Sequence, residues 1–191
     1  MTTMDPAAPM RRKARASLSN AAGRFDMGRE AVDDGWAQAQ EPELIPTELR
    51  FETARSLISF NRSPHLPFDR SINPYRGCEH GCIYCFARPS HAYLGLSPGL
   101  DFETRLVART NAAQVLRREL SAPRYKVATL AVGTNTDPYQ PCERDQGLMR
   151  ACLEVLRDFN HPVAIVTKGA LVERDIDILA PMAARGLVRV G

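Results

Sequence analysis

The sequence predicts an α/β fold on a parallel sheet, in the form of a partial (β/α) barrel with three βα units and the start of a fourth. Two observations predict it. Residues 127–132 are a run apolar on both faces, as a strand buried in a parallel sheet is, 163–166 read as a second such strand, and 187–190 start another. Between them, apolar residues recur at helical spacing, first as Leu148, Met149, Cys152, Leu156 and Phe159 and then over 173–185. Strand and helix alternate, so the crossovers should be right-handed. A chain of 191 residues, 44% hydrophobic and 25% charged, is long enough for one domain with its own core.

Taken in order, residues 1–45 lack sustained periodicity, and Asp33-Asp34-Gly35 with Pro42 punctuates them. Their Ala, Ser, Arg and Pro content predicts a disordered basic tail or linker ahead of one folded unit at 46–191. Leu49, Phe51, Leu57, Ile58 and Phe60 form a short apolar pattern, read as an extended segment at the sheet's edge. Residues 86–94 read as a short helix. Asn111 is the expected N-cap of a helix over 112–120, stopped by Pro123. Asp145 is expected to cap the helix that carries Cys152. Pro181 should kink or split the helix over 173–185, which Gly186 closes.

Charge separates the two parts. Residues 1–24 carry a net +4 and residues 25–191 a net −1, so the overall +3 belongs to the tail. A basic tail favours nonspecific contact with phosphate backbones, but charge does not single out nucleic acid as a partner of the folded part. No apolar run approaches the about 20 residues of a membrane helix, and Arg11, Arg12, Lys13 and Arg15 precede no apolar stretch of a secretory signal. Five cysteines, an odd number with three clustered, predict a reducing cytoplasm rather than a disulfide framework.

The cysteines carry the chemistry. Cys78, Cys82 and Cys85 lie in RGCEHGCIYCF, a C-x3-C-x2-C spacing with Tyr84 before the third thiol. Iron–sulfur clusters are held by thiolates, and three on one loop leave the fourth iron of a cubic cluster open to a ligand. Cys142 and Cys152 lie too far on to complete a zinc site at ordinary spacing. His80, wedged between the first two cysteines, has poor reach for a tetrahedral ligand. Zinc and inert thiols remain the alternatives.

This stretch resembles the radical S-adenosylmethionine superfamily, whose signature is C-x3-C-x-aromatic-C. SINPYRGCEHGCIYCFARPSHAYLGLSPGLDFETRLVART, VGTNTDPYQPCER and VTKG are similar to a bacterial branch related to spore photoproduct lyase. The resemblance implies a 4Fe-4S cluster on Cys78, Cys82 and Cys85, with S-adenosylmethionine on the open iron. It further implies reductive cleavage to methionine and a 5'-deoxyadenosyl radical, fed by an electron donor such as flavodoxin or ferredoxin. The family places its cysteine loop after the first barrel strand, which makes residues 71–76 that strand, ended by Gly77. Family barrels have six βα units, so this chain is expected to be a truncated part of a longer protein. An electron-transfer or regulatory iron–sulfur protein, or an inactive fragment, are the competing expectations.

The remaining site candidates follow from the same resemblance. Gly133–Asp137 occupies the position of the segment that contacts the methionyl amino group, and Thr134, Asn135, Thr136 and Asp137 offer it oxygen and amide groups. An Asx or proline turn at Asp137-Pro138 is the plainer explanation of the same residues. Lys168 resembles a lysine that pairs with the S-adenosylmethionine carboxylate, and Tyr84 is expected beside the adenine. Arg76 and Arg88 flank the loop as candidates for tuning the cluster or binding an anionic substrate, and simple salt bridges are the plainer reading. His80 and His91 are expected to be solvated loop histidines. Cys142 is a candidate hydrogen-atom donor to a product radical, against the simpler reading of an inert thiol. Spore photoproduct lyases carry their donor cysteine where this chain has Thr134, which weighs against thymine-dimer repair as its reaction.

Overall fold

The computed structural model describes residues 15–17, 19–21, 24, 25 and 45–191. In chain order the elements are β1 (Glu48–Glu52), β2 (Ile58–Phe60), β3 (Arg70–Ile72), β4 (Tyr75–Arg76), a 3-10 helix (Arg88–Leu94), α1 (Asp101–Thr104), β5 (Arg105–Arg109), α2 (Ala112–Leu120), β6 (Leu130–Val132), α3 (Glu143–Gln146), α4 (Leu148–Asp158), β7 (Val163–Ile165), a second 3-10 helix (Ala170–Asp175), α5 (Ile176–Ala183) and β8 (Val188–Val190).

These make a mixed α/β fold with two sheets. The larger runs β2-β3-β6-β7-β8, and the smaller β1-β5-β4. In the larger sheet β3, β6, β7 and β8 are mutually parallel, with Ile72 opposite Val132, Val132 opposite Ile165 and Ile165 opposite Val190. β2 adds an antiparallel edge at Ile58↔Ile72. The sheet is open among the described residues, because its end strands β2 and β8 do not pair. In the smaller sheet β1 lies parallel to β5 and β4 antiparallel to it.

The apolar runs end up where their composition requires. Leu130, Val132, Val163 and Ile165 are buried among Val115, Leu116 and Leu120 of α2 and Met149, Cys152, Leu153 and Leu156 of α4. Each such fully buried Leu contributes about 1.5–3 kcal/mol relative to exposure. Cys152 is wholly enclosed on that face.

Four local expectations are corrected. The strand expected over 71–76 is divided: Arg70–Ile72 joins the larger sheet and Tyr75–Arg76 the smaller. Pro74 between them has no N–H for a ladder, and its carbonyl instead accepts from Arg109 N. Asn111 does not cap α2 with its side chain, which is taken up in a two-way pairing with the Ala54 backbone at 2.8 and 3.0 Å. Asp145 lies inside α3. Glu143 supplies the carboxylate at the start of α4, accepting from the N–H groups of Met149 (3.0 Å) and Arg150 (3.3 Å). The helix expected over 173–185 breaks after Asp175, between a 3-10 turn and α5, and not at Pro181, which lies inside α5.

Within the segment expected to be a tail, the described residues lie against the core. Ala16 and Ser17 donate their N–H groups to the buried Glu103 carboxylate, each at 3.1 Å, and Arg15 donates to the Glu103 carbonyl at 2.7 Å. The rest of 1–44 lies outside the described residues.

Candidate functional site

Parallel strands place their C-terminal ends on one edge, and three loops leave that edge together. They are the cysteine loop after β3 and β4, residues 133–142 after β6, and residues 166–169 after β7. Tight backbone contact at this edge is achieved with glycine. Gly133 has φ +86°, and a Cβ there would sit 1.9 Å from the Val166 carbonyl oxygen, so only glycine lets the β6 and β7 loops approach. Gly77 opens the cysteine loop at φ +76°, where a Cβ would meet Leu106 Cδ2 at 2.8 Å and Phe102 O at 2.9 Å.

The cysteine loop is tied down from three sides. Cys78 donates its N–H to Phe102 O at 2.9 Å, and Cys85 donates to Cys82 O at 3.2 Å. Gln140, fully buried, donates to Gly77 O (3.2 Å) and accepts from Glu79 N (3.1 Å), so one amide clamps both flanks of Cys78. Glu79 in turn accepts from Cys142 N at 3.0 Å. Arg88 donates to Cys82 O (3.1 Å) and Gly99 O (3.2 Å), pairs with the buried Glu103 and lies 5.5 Å from the Phe102 ring. The salt-bridge reading of Arg88 therefore holds, with the added result that it braces the loop.

All five cysteines are free thiols. Cys78 is buried beside Ala87 and Phe102, with Cys85 packed against that cluster. Burial pushes the Cys78 thiol up to about 11, while the backbone N–H groups of His80 and Asp137 pull the other way. Lys168 reaches across to the loop: its Nζ donates to His80 O at 3.1 Å, and its contact with the Cys82 side chain raises its pKa. Asp137 pins the three loops. It accepts from Thr167 Oγ1 (2.6 Å), Tyr139 N (2.8 Å) and Lys168 N (3.0 Å), with His80 Nε2 at an ionic distance of 3.3 Å. Burial raises its pKa, but the His80, Thr167 and backbone contacts outweigh it and hold the carboxyl below the usual range.

The predicted residues are thus sorted by position. Cys78, Cys82, Cys85, Asp137, Lys168 and, through Glu79, Cys142 meet at one edge. Thr136 is turned inward, donating to Tyr75 O at 3.2 Å, while Thr134 and Asn135 are half-buried. Tyr84 is 80% exposed, between the equally exposed Ile83 and Phe86. Cys142 is half-buried at the start of α3, and burial with the carboxylates of Glu79 and Glu143 pushes its thiol up to about 12. His91 is corrected: it is buried, edge-on to Phe102 at 5.4 Å and bonded to Arg105 O at 2.9 Å. His80 is half-buried beside Asp137 rather than free in solvent. Sequence reasoning missed Gln140, Glu143 and Thr167, because polar residues next to a predicted turn give no sign of partners 30 to 68 positions away.

Among the described residues no group of three or more His, Cys, Asp or Glu converges as ligands of one metal ion. A cubic cluster does not require that convergence, since each iron takes one thiolate. Three free thiols on one loop, one enclosed and two half-exposed, beside a lysine, fit such a cluster in donor chemistry.

No family model matches the chain. An uncharacterized protein of Mycobacterium tuberculosis is 46% identical over 135 residues, covering 69% of this chain and 40% of its own length. One from Mycobacterium bovis gives the same figures. An uncharacterized protein of Methanocaldococcus jannaschii is 27% identical over 107 residues, covering 56% of this chain and 38% of its own length. The chain therefore spans about two-fifths of the curated relatives it matches. No solved structure matches it.

Proposed function

We propose that this chain is the cluster-bearing part of a radical S-adenosylmethionine enzyme, related to the spore photoproduct lyase branch and working in the cytoplasm, with its larger sheet the first part of a (β/α) barrel. The observation that carries the reading is the loop of Cys78, Cys82 and Cys85, held at the C-terminal edge of the parallel strands with Lys168 Nζ bonded to His80 O inside it. Cys78, Cys82 and Cys85 would hold a 4Fe-4S cluster as thiolates. When bound, that cluster supplies the electron, drawn from a flavodoxin or ferredoxin, that cleaves S-adenosylmethionine to methionine and a 5'-deoxyadenosyl radical. The chain's own residues bind and orient. Lys168 neutralises the methionyl carboxylate, Thr134 and Asn135 face the amino group, and exposed Tyr84 offers its ring to the adenine. Thr136 and Asp137 keep the segment in shape, since both are already hydrogen-bonded within the fold. Cys142, with its thiol kept protonated at neutral pH, is the hydrogen-atom donor this edge offers to a product radical.

The test is anaerobic reconstitution with iron and sulfide, reduction with dithionite, and measurement of 5'-deoxyadenosine on adding S-adenosylmethionine. The expected result is production that Cys82→Ala abolishes and Lys168→Met weakens about tenfold in apparent S-adenosylmethionine affinity. A stable cluster whose spectrum ignores S-adenosylmethionine would replace this reading with electron transfer.

A further inference from the structure

A cleft of 350 Å³ opens where the two sheets meet, and it has no thiol in its wall. Asn73 and Asn135 reach it from the loops that follow β3 and β6, Arg76 and Arg109 from β4 and β5, and Ser90 and Tyr93 from the 3-10 helix. Its size falls within the range of small-molecule sites, about 300–1,000 Å³.

The charge in this cleft is unbalanced. No acidic residue lines it. Among the described residues Glu52 is the one carboxylate within ionic distance of either guanidinium, 3.0 Å from Arg109 Nε and 3.6 Å from Arg76 Nε. One carboxylate between two guanidiniums leaves a positive charge uncompensated. Arg109 spends one further donor on Asn73 O at 3.1 Å. Arg76 Nε and Asn73 Oδ1 are buried with no hydrogen-bond partner. A buried donor and a buried acceptor left open are costly. Both atoms are closed off from the cleft itself, so a ligand there meets the exposed part of the Arg76 side chain, which is 36% accessible.

We propose that this cleft binds a small molecule carrying an oxyanion, phosphate or carboxylate. The oxyanion sits between Arg76 and Arg109, where the planar guanidinium fork matches it. Asn73, Ser90, Tyr93 and Asn135 complete the polar wall. The site requires no iron, and Asn135 is the residue it shares with the proposed S-adenosylmethionine segment.

Calorimetric titration of the full chain with glycerol 3-phosphate, glycerate and glycerol tests it, with the two anions separating phosphate from carboxylate and glycerol as the neutral control. The expected result is saturable binding of one or both anions, none of glycerol, and about tenfold weakening by Arg76→Gln or Arg109→Gln. Glu52→Gln keeps the hydrogen bond to Arg109 but removes the competing charge, so it should tighten binding about threefold or more. That variant carries the test if the arginine variants fail to fold. Neither anion binding above glycerol, arginine variants that fold and bind unchanged, or an unchanged affinity in Glu52→Gln would each overturn the proposal.

Discussion

Replacing Gln140 with leucine probes the clamp on the cysteine loop. The side chain is fully buried, and leucine has a similar volume, so the change removes two hydrogen bonds and leaves packing nearly intact. The bonds lost are to Gly77 O at 3.2 Å and from Glu79 N at 3.1 Å. Gly77 is buried, so its carbonyl is left without a partner, whereas half-buried Glu79 regains water. An orphaned buried group costs about 1–3 kcal/mol and an exchanged hydrogen bond about 0.5–1.5 kcal/mol, giving a loss of about 2–4 kcal/mol. That is a large share of the roughly 5–15 kcal/mol of an ordinary domain, but it need not unfold it. Urea denaturation at unchanged slope reads the global loss. Amide hydrogen exchange at Cys78 and Glu79 reads the local one, and both should quicken. Iron retained after reconstitution should fall in parallel. A stability change under about 0.5 kcal/mol, the range of an exposed surface substitution, with unchanged exchange at residues 77–82 would refute the clamp.

Gly133→Ala should cost about 3 kcal/mol or more, since its Cβ would lie 1.9 Å from a carbonyl oxygen at φ +86°. Gly186→Ala, at φ +70° with open space around it, should cost about 1 kcal/mol, and equal losses of Tm for the two would contradict the close approach of the β6 and β7 loops. Asp175 is enclosed with Arg174 at 2.8 Å and Arg150 at 3.0 Å. Burial raises its carboxyl pKa, but Arg174 and Arg150 lower it more, so the folded value lies under the unfolded one near 3.8. Its contribution is therefore complete above that value and is lost as pH falls through the folded one. Asp175→Asn should cost about 3 kcal/mol at pH 7, with partly exposed arginine partners softening the loss. It should also flatten the stability decline below pH 4, and an unchanged acid limb would count against the pairing.

Local pattern located the elements whose stability is local. The runs at 127–132, 163–166 and 187–190 contain β6, β7 and β8, and the helical spacing through Cys152 marks α4. For β6, β7 and α4 a few neighbouring side chains must be apolar for the segment to be buried, and that demand is written in order along the chain, whereas β8 is an exposed edge strand carrying Arg189. β5, with the sequence RLVAR, was not marked as a strand, because it is one run between charged ends whose partners β1 and β4 lie far off in sequence. The division at Pro74 was likewise missed, since which sheet a strand joins is a matter of pairing.

The cysteine spacing, the glycine that opens its loop and the parallel run of strands were thus available from the sequence, because each is a constraint on neighbouring residues. Tertiary structure alone decided what surrounds them. It set Lys168 beside Cys82, Asp137 across three loops, Gln140 on both sides of Cys78, and two arginines around a single carboxylate. A hydrogen bond or an ion pair is settled by distance in space. Residues this far apart in the chain show no regular spacing by which their meeting is announced.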